Sequence, residues 1–231
     1  MNKSITQLAV AIVISASLAA CGGGTSQGNG GPPMTVNEDG TSTFDSTQLG
    51  TNLASLPIEA LNEAETASLT YLREEEKLAL DVYTQLDSIW GASIKVFGNI
   101  SKCEATHTEA VRQLLLRYNL TDPSVNLGSG RFVNATLQGL YDSLVSQGTA
   151  ALSAALQVGA TIEELDLVDI EQGLQGIDNQ DIRLVYDNLA KGSRNHLRSF
   201  VKNLDKQGVT YSPIYLSADA YTAIVTTPTE R

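Results

Sequence analysis

The segment Glu104-Ala-Thr-His107 constrains the fold of this chain more than any other feature. On a helix, positions i and i+3 lie on one face, so the carboxylate and the imidazole can point inward together and bind one ion. Glu76 precedes this segment by 28 residues, and Tyr83 follows Glu76 by seven. A carboxylate from one helix and a Glu-x-x-His from the next form half of the ligand set of a di-metal four-helix bundle.

The hydrophobic pattern from Pro57 onward predicts an all-α fold, because apolar residues recur every three to four positions. No run alternates with the period of a strand over a useful length. We expect four long helices and two short ones, at about 57–90, 96–118, 150–174, 180–205, 135–146 and 217–225. The expected domain is an antiparallel four-helix bundle over residues 57–225, with a short extra helix before the third bundle helix, a carboxy-terminal helix, and a tail of residues 226–231.

The amino terminus has the pattern of an export signal rather than of a folded element. Lys3 is followed by a largely apolar run over residues 8–20, which is too short for a stable membrane span. The run ends in Leu18-Ala19-Ala20-Cys21, which resembles a bacterial lipobox. This resemblance implies a lipoprotein signal peptide over residues 1–20, cleavage before Cys21, and a lipid anchor on its thiol in the cell envelope, at the outer membrane in a Gram-negative host. An ordinary signal cut after Ala20 is the alternative.

Residues 21–56 are rich in glycine, proline and polar side chains, which predicts a flexible tether. Loss of Lys3 with the signal would change the formal net charge from −11 to −12. A chain this acidic is not expected to bind nucleic acid or an anionic membrane surface through charge, so the membrane contact is expected through the lipid alone. Cys103 is the one cysteine after Cys21, which leaves no partner for an internal disulfide.

A weak internal repeat supplies the other half of the ligand set. Residues 75–81 align with 163–169, and residues 101–107 align with 190–196, so both histidines of the chain occupy matching positions. Three buried carboxylates would be costly without counter-charge, which a pair of divalent ions provides. Oxygen and imidazole ligands suit iron, manganese or zinc, and we take iron as the first candidate. The candidate metal ligands are Glu76, Glu104, His107, Glu164 and His196, with Glu75 and Glu163 as alternates.

The repeat fails at Ser193, which stands where a second Glu-x-x-His would have its glutamate. We expect one carboxylate fewer than in a symmetric dinuclear site. Glu163, Asp187 or a water molecule could fill the gap, and a single-metal or mixed-metal site is compatible with the pattern.

On these residues the chain resembles the ferritin-like superfamily, and within it the bacterial domain of unknown function 2202. The resemblance covers residues 72–83, 104–107, 159–166, 192–198 and 211–216. It implies a ferritin-like bundle with a dinuclear site, in which Tyr83 is a redox neighbour of the metal. Ser193 departs from the family pattern of ferroxidase-type sites. No Cys-x-x-Cys module for electron transfer is present in the sequence.

Three functions remain open at this point. The first is a metal-binding module of the cell envelope that captures, senses or buffers ions. The second is a dimetal oxidase or peroxidase that acts on dioxygen or peroxide. The third is a helical interaction domain without metal. The missing carboxylate and the missing electron-transfer module favour the first.

Overall fold

A computed structural model describes residues 31–231, and the predicted signal peptide and Cys21 lie outside these residues. The described part has a two-stranded sheet and seven helices: β1 (Met34–Val36), β2 (Ser42–Phe44), α1 (Ser46–Ala54), α2 (Glu63–Trp90), α3 (Val96–Arg117), α4 (Ala135–Gly148), α5 (Leu152–Leu174), α6 (Gln180–Lys206) and α7 (Ala218–Val225). The prediction of an all-α helical bundle is confirmed. Within residues 31–231, no helix combines the length and the apolar character needed to cross a membrane.

The four long helices pack as two pairs, α2 with α3 and α5 with α6, and the pairs meet through α2 with α5 and α3 with α6. Only residues 91–95 join the first pair and residues 175–179 the second, so each pair is antiparallel. The short helix α4 packs against α2 and α5. Apolar side chains form two buried clusters, one towards each end of the bundle.

The start of α2 is fixed by a capping box. The Asn62 side chain accepts the backbone N–H of Glu65, and the Glu65 carboxylate accepts the N–H of Asn62. The other oxygen of Glu65 accepts the N–H groups of Asp178 and Asn179, which ties the α5–α6 connection to the same place. The helix therefore begins at Glu63 rather than at the predicted Pro57.

The structure differs from the predicted flexible tether in residues 34–54. Strands β1 and β2 pair antiparallel, with Met34 opposite Phe44, and Gly40 takes a φ of +89° in the turn between them. Met34 and Phe44 are buried against the bundle, and α1 adds Leu49 to the same cluster. A two-stranded hairpin is marginally stable by itself, so these few inward side chains order the segment only because the bundle offers an apolar surface.

Candidate metal site

Helices α3 and α6 bring three candidate ligands together in the interior. Glu104 and His107 lie one turn apart on α3, as their spacing predicts, and His196 comes from α6. One ligand atom from each of the three lies within 4.8 Å of the other two. All three side chains are at least 99% buried. The group can therefore hold a metal ion.

Glu104 lies between the two imidazoles and presents a different oxygen to each. Its Oε2 is 3.0 Å from Nδ1 of His107, and its Oε1 is 2.8 Å from Nδ1 of His196. The two rings are stacked, with centroids 5.3 Å apart and planes 15° apart. Both Nδ1 atoms thus face the same carboxylate from two sides.

A further carboxylate flanks each imidazole. Glu76 of α2 places Oε2 3.6 Å from Nδ1 of His107, and Glu163 of α5 places Oε1 3.5 Å from Nδ1 of His196. The Nδ1 of each histidine therefore lies near one oxygen of Glu104 and near one further carboxylate that the other histidine does not share. The two halves come from the two helix pairs and the histidines match as the weak repeat predicts, but the repeat aligns Glu76 with Glu164 and not with Glu163.

Glu163, which the sequence analysis gave as an alternate, points into this group, whereas Glu164 does not. The Glu164 carboxylate accepts the backbone N–H groups of Ile214, Tyr215 and Leu216, and so fixes the segment before α7. Glu163 therefore lies where the sequence analysis expected Glu164, which faces the segment before α7 instead. Glu164 lies on the buried stripe that the periodicity selected, but α5 is buried on several sides, so that stripe does not identify the face towards the site.

Tyr83 lies beside the group, as its predicted role requires. Its hydroxyl donates to Oε1 of Glu163 at 2.7 Å and lies 3.2 Å from the carbonyl of Gly159. The gap at Ser193 is not filled by Asp187, which is exposed. The Ser193 hydroxyl donates to the carbonyl of Leu189 in its own helix. Glu104 is therefore the carboxylate that lies between the two imidazoles, and α6 contributes no carboxylate to the group.

Unpaired polar atoms concentrate at this place. Glu104 Oε1 and His196 Nδ1 are close, but their orientation does not make a hydrogen bond, and both atoms are buried without a partner. Buried polar atoms without partners are rare in folded proteins and cost free energy. The others in the same region are Glu75 Oε2, Glu76 Oε1, Glu163 Oε2 and Asp166 Oδ1. A cation held by Glu104 and the two histidines would satisfy part of this set.

Burial and charge perturb the pKa values of these groups in opposite directions. Burial raises the pKa of Glu76 to about 7, although His107 opposes the change. Burial alone would raise the pKa of Glu104, but the charges of His107 and His196 outweigh it and lower the pKa. Burial alone would lower the pKa of His107, but Glu104 raises it to about 10. The buried carboxylates therefore favour the protonated form of both imidazoles, whose positive charge offsets part of the buried negative charge.

The spacing of the ligand atoms fits a metal centre. Nitrogen and oxygen ligands lie about 2.0–2.2 Å from a zinc-sized ion. Two such ligands are then about 3.0 Å apart at a right angle and about 3.4 Å apart at the tetrahedral angle, from the same bond length. The four nitrogen–oxygen distances in the group run from 2.8 to 3.6 Å. These distances lie close to both of those values.

Two residues near the site were missed by the sequence analysis. Asp166 lies one turn after Glu163 on α5 and is 1% exposed. The i, i+3 spacing of these two acids on one helix is a signal that could have identified Asp166. Ser42, fully buried in β2, places its Oγ 3.2 Å from Nε2 of His107 and 3.1 Å from Nε2 of His196. The Asp39-Gly40 turn between two short alternating runs is a hairpin signal that could have located Ser42.

Fold and site together define an all-α helical bundle whose interior holds a buried group of carboxylates and imidazoles. Residues 65–228 match the family model described as "Uncharacterized protein domain (DUF2202)", and the chain belongs to this family. It is 45% identical over 179 residues to "Uncharacterized protein MJ0754" of Methanocaldococcus jannaschii, an alignment that covers 78% of this chain and 96% of that protein.

A crystal structure of hypothetical protein MJ0754 has the same fold. It superposes with a TM-score of 0.74 at 45% identity, and the match covers 76% of this chain and 99% of that one. The hairpin of β1 and β2 precedes the residues that the family model matches.

Proposed function

We propose that this chain is a metal-binding protein with a dinuclear carboxylate–histidine centre of the ferritin-like type. The observation that carries the proposal is the position of Glu104, whose two oxygens face the Nδ1 atoms of two different imidazoles. A carboxylate in this position can bridge two ions. One ion would bind Glu76, Glu104 and His107, and the other would bind Glu104, Glu163 and His196.

Charge supports this assignment. The three carboxylates of the proposed centre lie in the interior with no lysine or arginine bound to them in the described part of the chain. Buried carboxylates need compensating positive charge, which divalent ions supply. Mixed oxygen and nitrogen ligands favour iron or manganese, with zinc as a further candidate.

The absence of a second bridging carboxylate at Ser193 favours binding over turnover. With the predicted lipid on Cys21, the chain would be a metal-binding protein anchored to the cell envelope. A bound transition metal would supply Lewis-acid or redox chemistry at this place. The chain's own residues fix the ligand geometry and keep water from the site, since every ligand side chain is at least 98% buried.

A second candidate is an oxidoreductase that acts on dioxygen or peroxide, and Tyr83 is the observation that favours it. Its buried phenol donates a hydrogen bond to a proposed ligand, Glu163, and is placed to pass a proton or an electron to the centre. Peroxide consumption by the iron-loaded chain, compared with Tyr83→Phe, separates the two candidates. Consumption that requires Tyr83 would favour the oxidoreductase.

Elemental analysis of the purified chain tests the proposal. We expect up to two equivalents of iron, manganese or zinc per chain, and less than a tenth of that in the double variant Glu104→Ala, His107→Ala. Glu109→Ala serves as a control, because Glu109 lies on α3 at the surface and pairs with Arg112 outside the site. Equal metal content in the wild type and the double variant would refute the site.

A further inference from the structure

The hairpin formed by β1 and β2 contacts both histidine-bearing helices at the site. Ser199 of α6 donates its hydroxyl to the carbonyl of Asp39 at 2.9 Å. The N–H of Phe44 donates to Oγ1 of Thr106 on α3 at 3.0 Å. The Phe44 ring also meets the ring of His107 edge to face, with centroids 5.7 Å apart. The hairpin thus spans the gap between α3 and α6, directly over the two imidazoles.

Ser42 lies at the centre of this contact, and its geometry determines what it does. Its single oxygen is within hydrogen-bond distance of Nε2 of both histidines. Each Nδ1 faces Glu104 on the opposite side of its ring. A serine oxygen has two lone pairs and can accept from both rings at once. When each Nδ1 binds an ion, each Nε2 keeps its proton and can donate it to this oxygen.

We propose that Ser42 is a positioning residue of the metal centre, and that the amino-terminal hairpin is a strap that closes the site over the histidines. The inference rests on the proposed function. A polar group that holds the far nitrogen of a ligating histidine fixes its tautomer and ring orientation, and its loss typically lowers metal affinity 10- to 100-fold. Here one hydroxyl serves both ligands, and it comes from outside the residues that the family model matches.

Helix α6 has a glycine, Gly192, at the place where Ser42 contacts the two histidines. A Cβ at Gly192 would lie 2.9 Å from Oγ of Ser42 and 2.7 Å from Cε1 of His107. A side chain at this position would therefore displace the serine or the imidazole. The absence of a side chain at Gly192 lets the hydroxyl approach both rings.

The test uses the full chain with Ser42→Ala and, as a matched control, Thr43→Ala. Thr43 is the next residue of the same strand, and its half-buried side chain points to the opposite face. The chain contains only two histidines, so ¹⁵N-labelled histidine gives signals from just two imidazole rings, each with an Nδ1 and an Nε2. In the zinc-loaded wild type we expect both Nε2–H protons to exchange slowly with water.

In Ser42→Ala we expect this protection to fall at least tenfold for both rings. Zinc release to a chelator should accelerate about 10- to 100-fold, with the zinc content at saturation unchanged. Thr43→Ala should behave as the wild type in both measurements.

Two results would overturn the inference. One is that Ser42→Ala releases zinc to the chelator at the same rate as the wild type. The other is faster release while both Nε2–H signals keep their wild-type exchange, which would mean that the Ser42 hydroxyl does not hold the two rings. If the wild-type chain binds no zinc, iron or manganese, the proposed function fails as well. This failure can be told apart from a failure of the Ser42 inference, because it is seen in the wild type without any substitution.

Discussion

Adding one methyl group at Gly192 should weaken both the fold and the metal site. An ideal Cβ at this position lies 2.7 Å from Cε1 and 3.1 Å from Nε2 of His107. Carbon atoms pack best about 3.5–4.0 Å apart, so the ring would have to move by about 0.8 Å. Ligand geometry tolerates about 0.5 Å. We therefore expect Gly192→Ala to lower zinc affinity at least tenfold.

The effect on stability has two opposing parts. Alanine is favoured over glycine inside a helix by about 1 kcal/mol. Overpacking a buried site costs about 1–3 kcal/mol. The difference predicts that Gly192→Ala lowers the free energy of unfolding by between about 0 and 2 kcal/mol.

Gly139→Ala is the matched control, because this glycine is exposed within α4 and a Cβ there would meet nothing within 4 Å. It should gain about 1 kcal/mol, which raises the melting temperature by about 2–4 °C in a chain of this size. Calorimetry measures the stability of both variants, and zinc titration measures their affinity for zinc. If Gly192→Ala gains as much stability as Gly139→Ala and binds zinc with wild-type affinity, the contact with His107 is not as described.

Three further outcomes follow from the site and the sequence. Elemental analysis should find about half of the wild-type metal content in Glu163→Gln and the full wild-type content in Glu164→Gln. The reverse result would mean that Glu164 is the ligand. Zinc affinity should rise between pH 6 and 9, and binding should release protons. The reason is that Glu104 raises the pKa of His107 to about 10 despite its burial, so this histidine must lose a proton before it can bind zinc. Calorimetry in buffers of different ionisation enthalpy measures the number of protons released, and an affinity that does not change with pH would contradict the prediction. Palmitate should label the chain in bacteria and not its Cys21→Ser variant; equal labelling would exclude the lipid site.

The sequence alone was sufficient for the helices from α2 onward, apart from the residue at which α2 begins, and for the pair on α3. Glu104 and His107 share a face because an i, i+3 spacing is a local property of any α-helix. The two histidines could be assigned to one site because the chain has no others and both lie on inward stripes. The bundle itself follows from the length and period of the apolar pattern.

The choice between Glu163 and Glu164 could not be made in the same way. Adjacent residues differ by about 100° around a helix, and α5 is covered by α2, α4 and α6 on different sides. Both glutamates are fully buried as a result. One meets an imidazole and the other meets three backbone N–H groups of the segment before α7. Only the packing of the segment before α7 decides which glutamate remains for the site.

Ser42 depends on tertiary structure to a still greater degree. It lies 65 residues before His107 and 154 before His196, in a segment whose composition is typical of a tether. Sequence period and local spacing determine which residues share a helix face, since these depend only on neighbouring backbone geometry. The closing of the site by a distant strand depends on which surfaces the bundle leaves open, and that is decided only when the helices have packed.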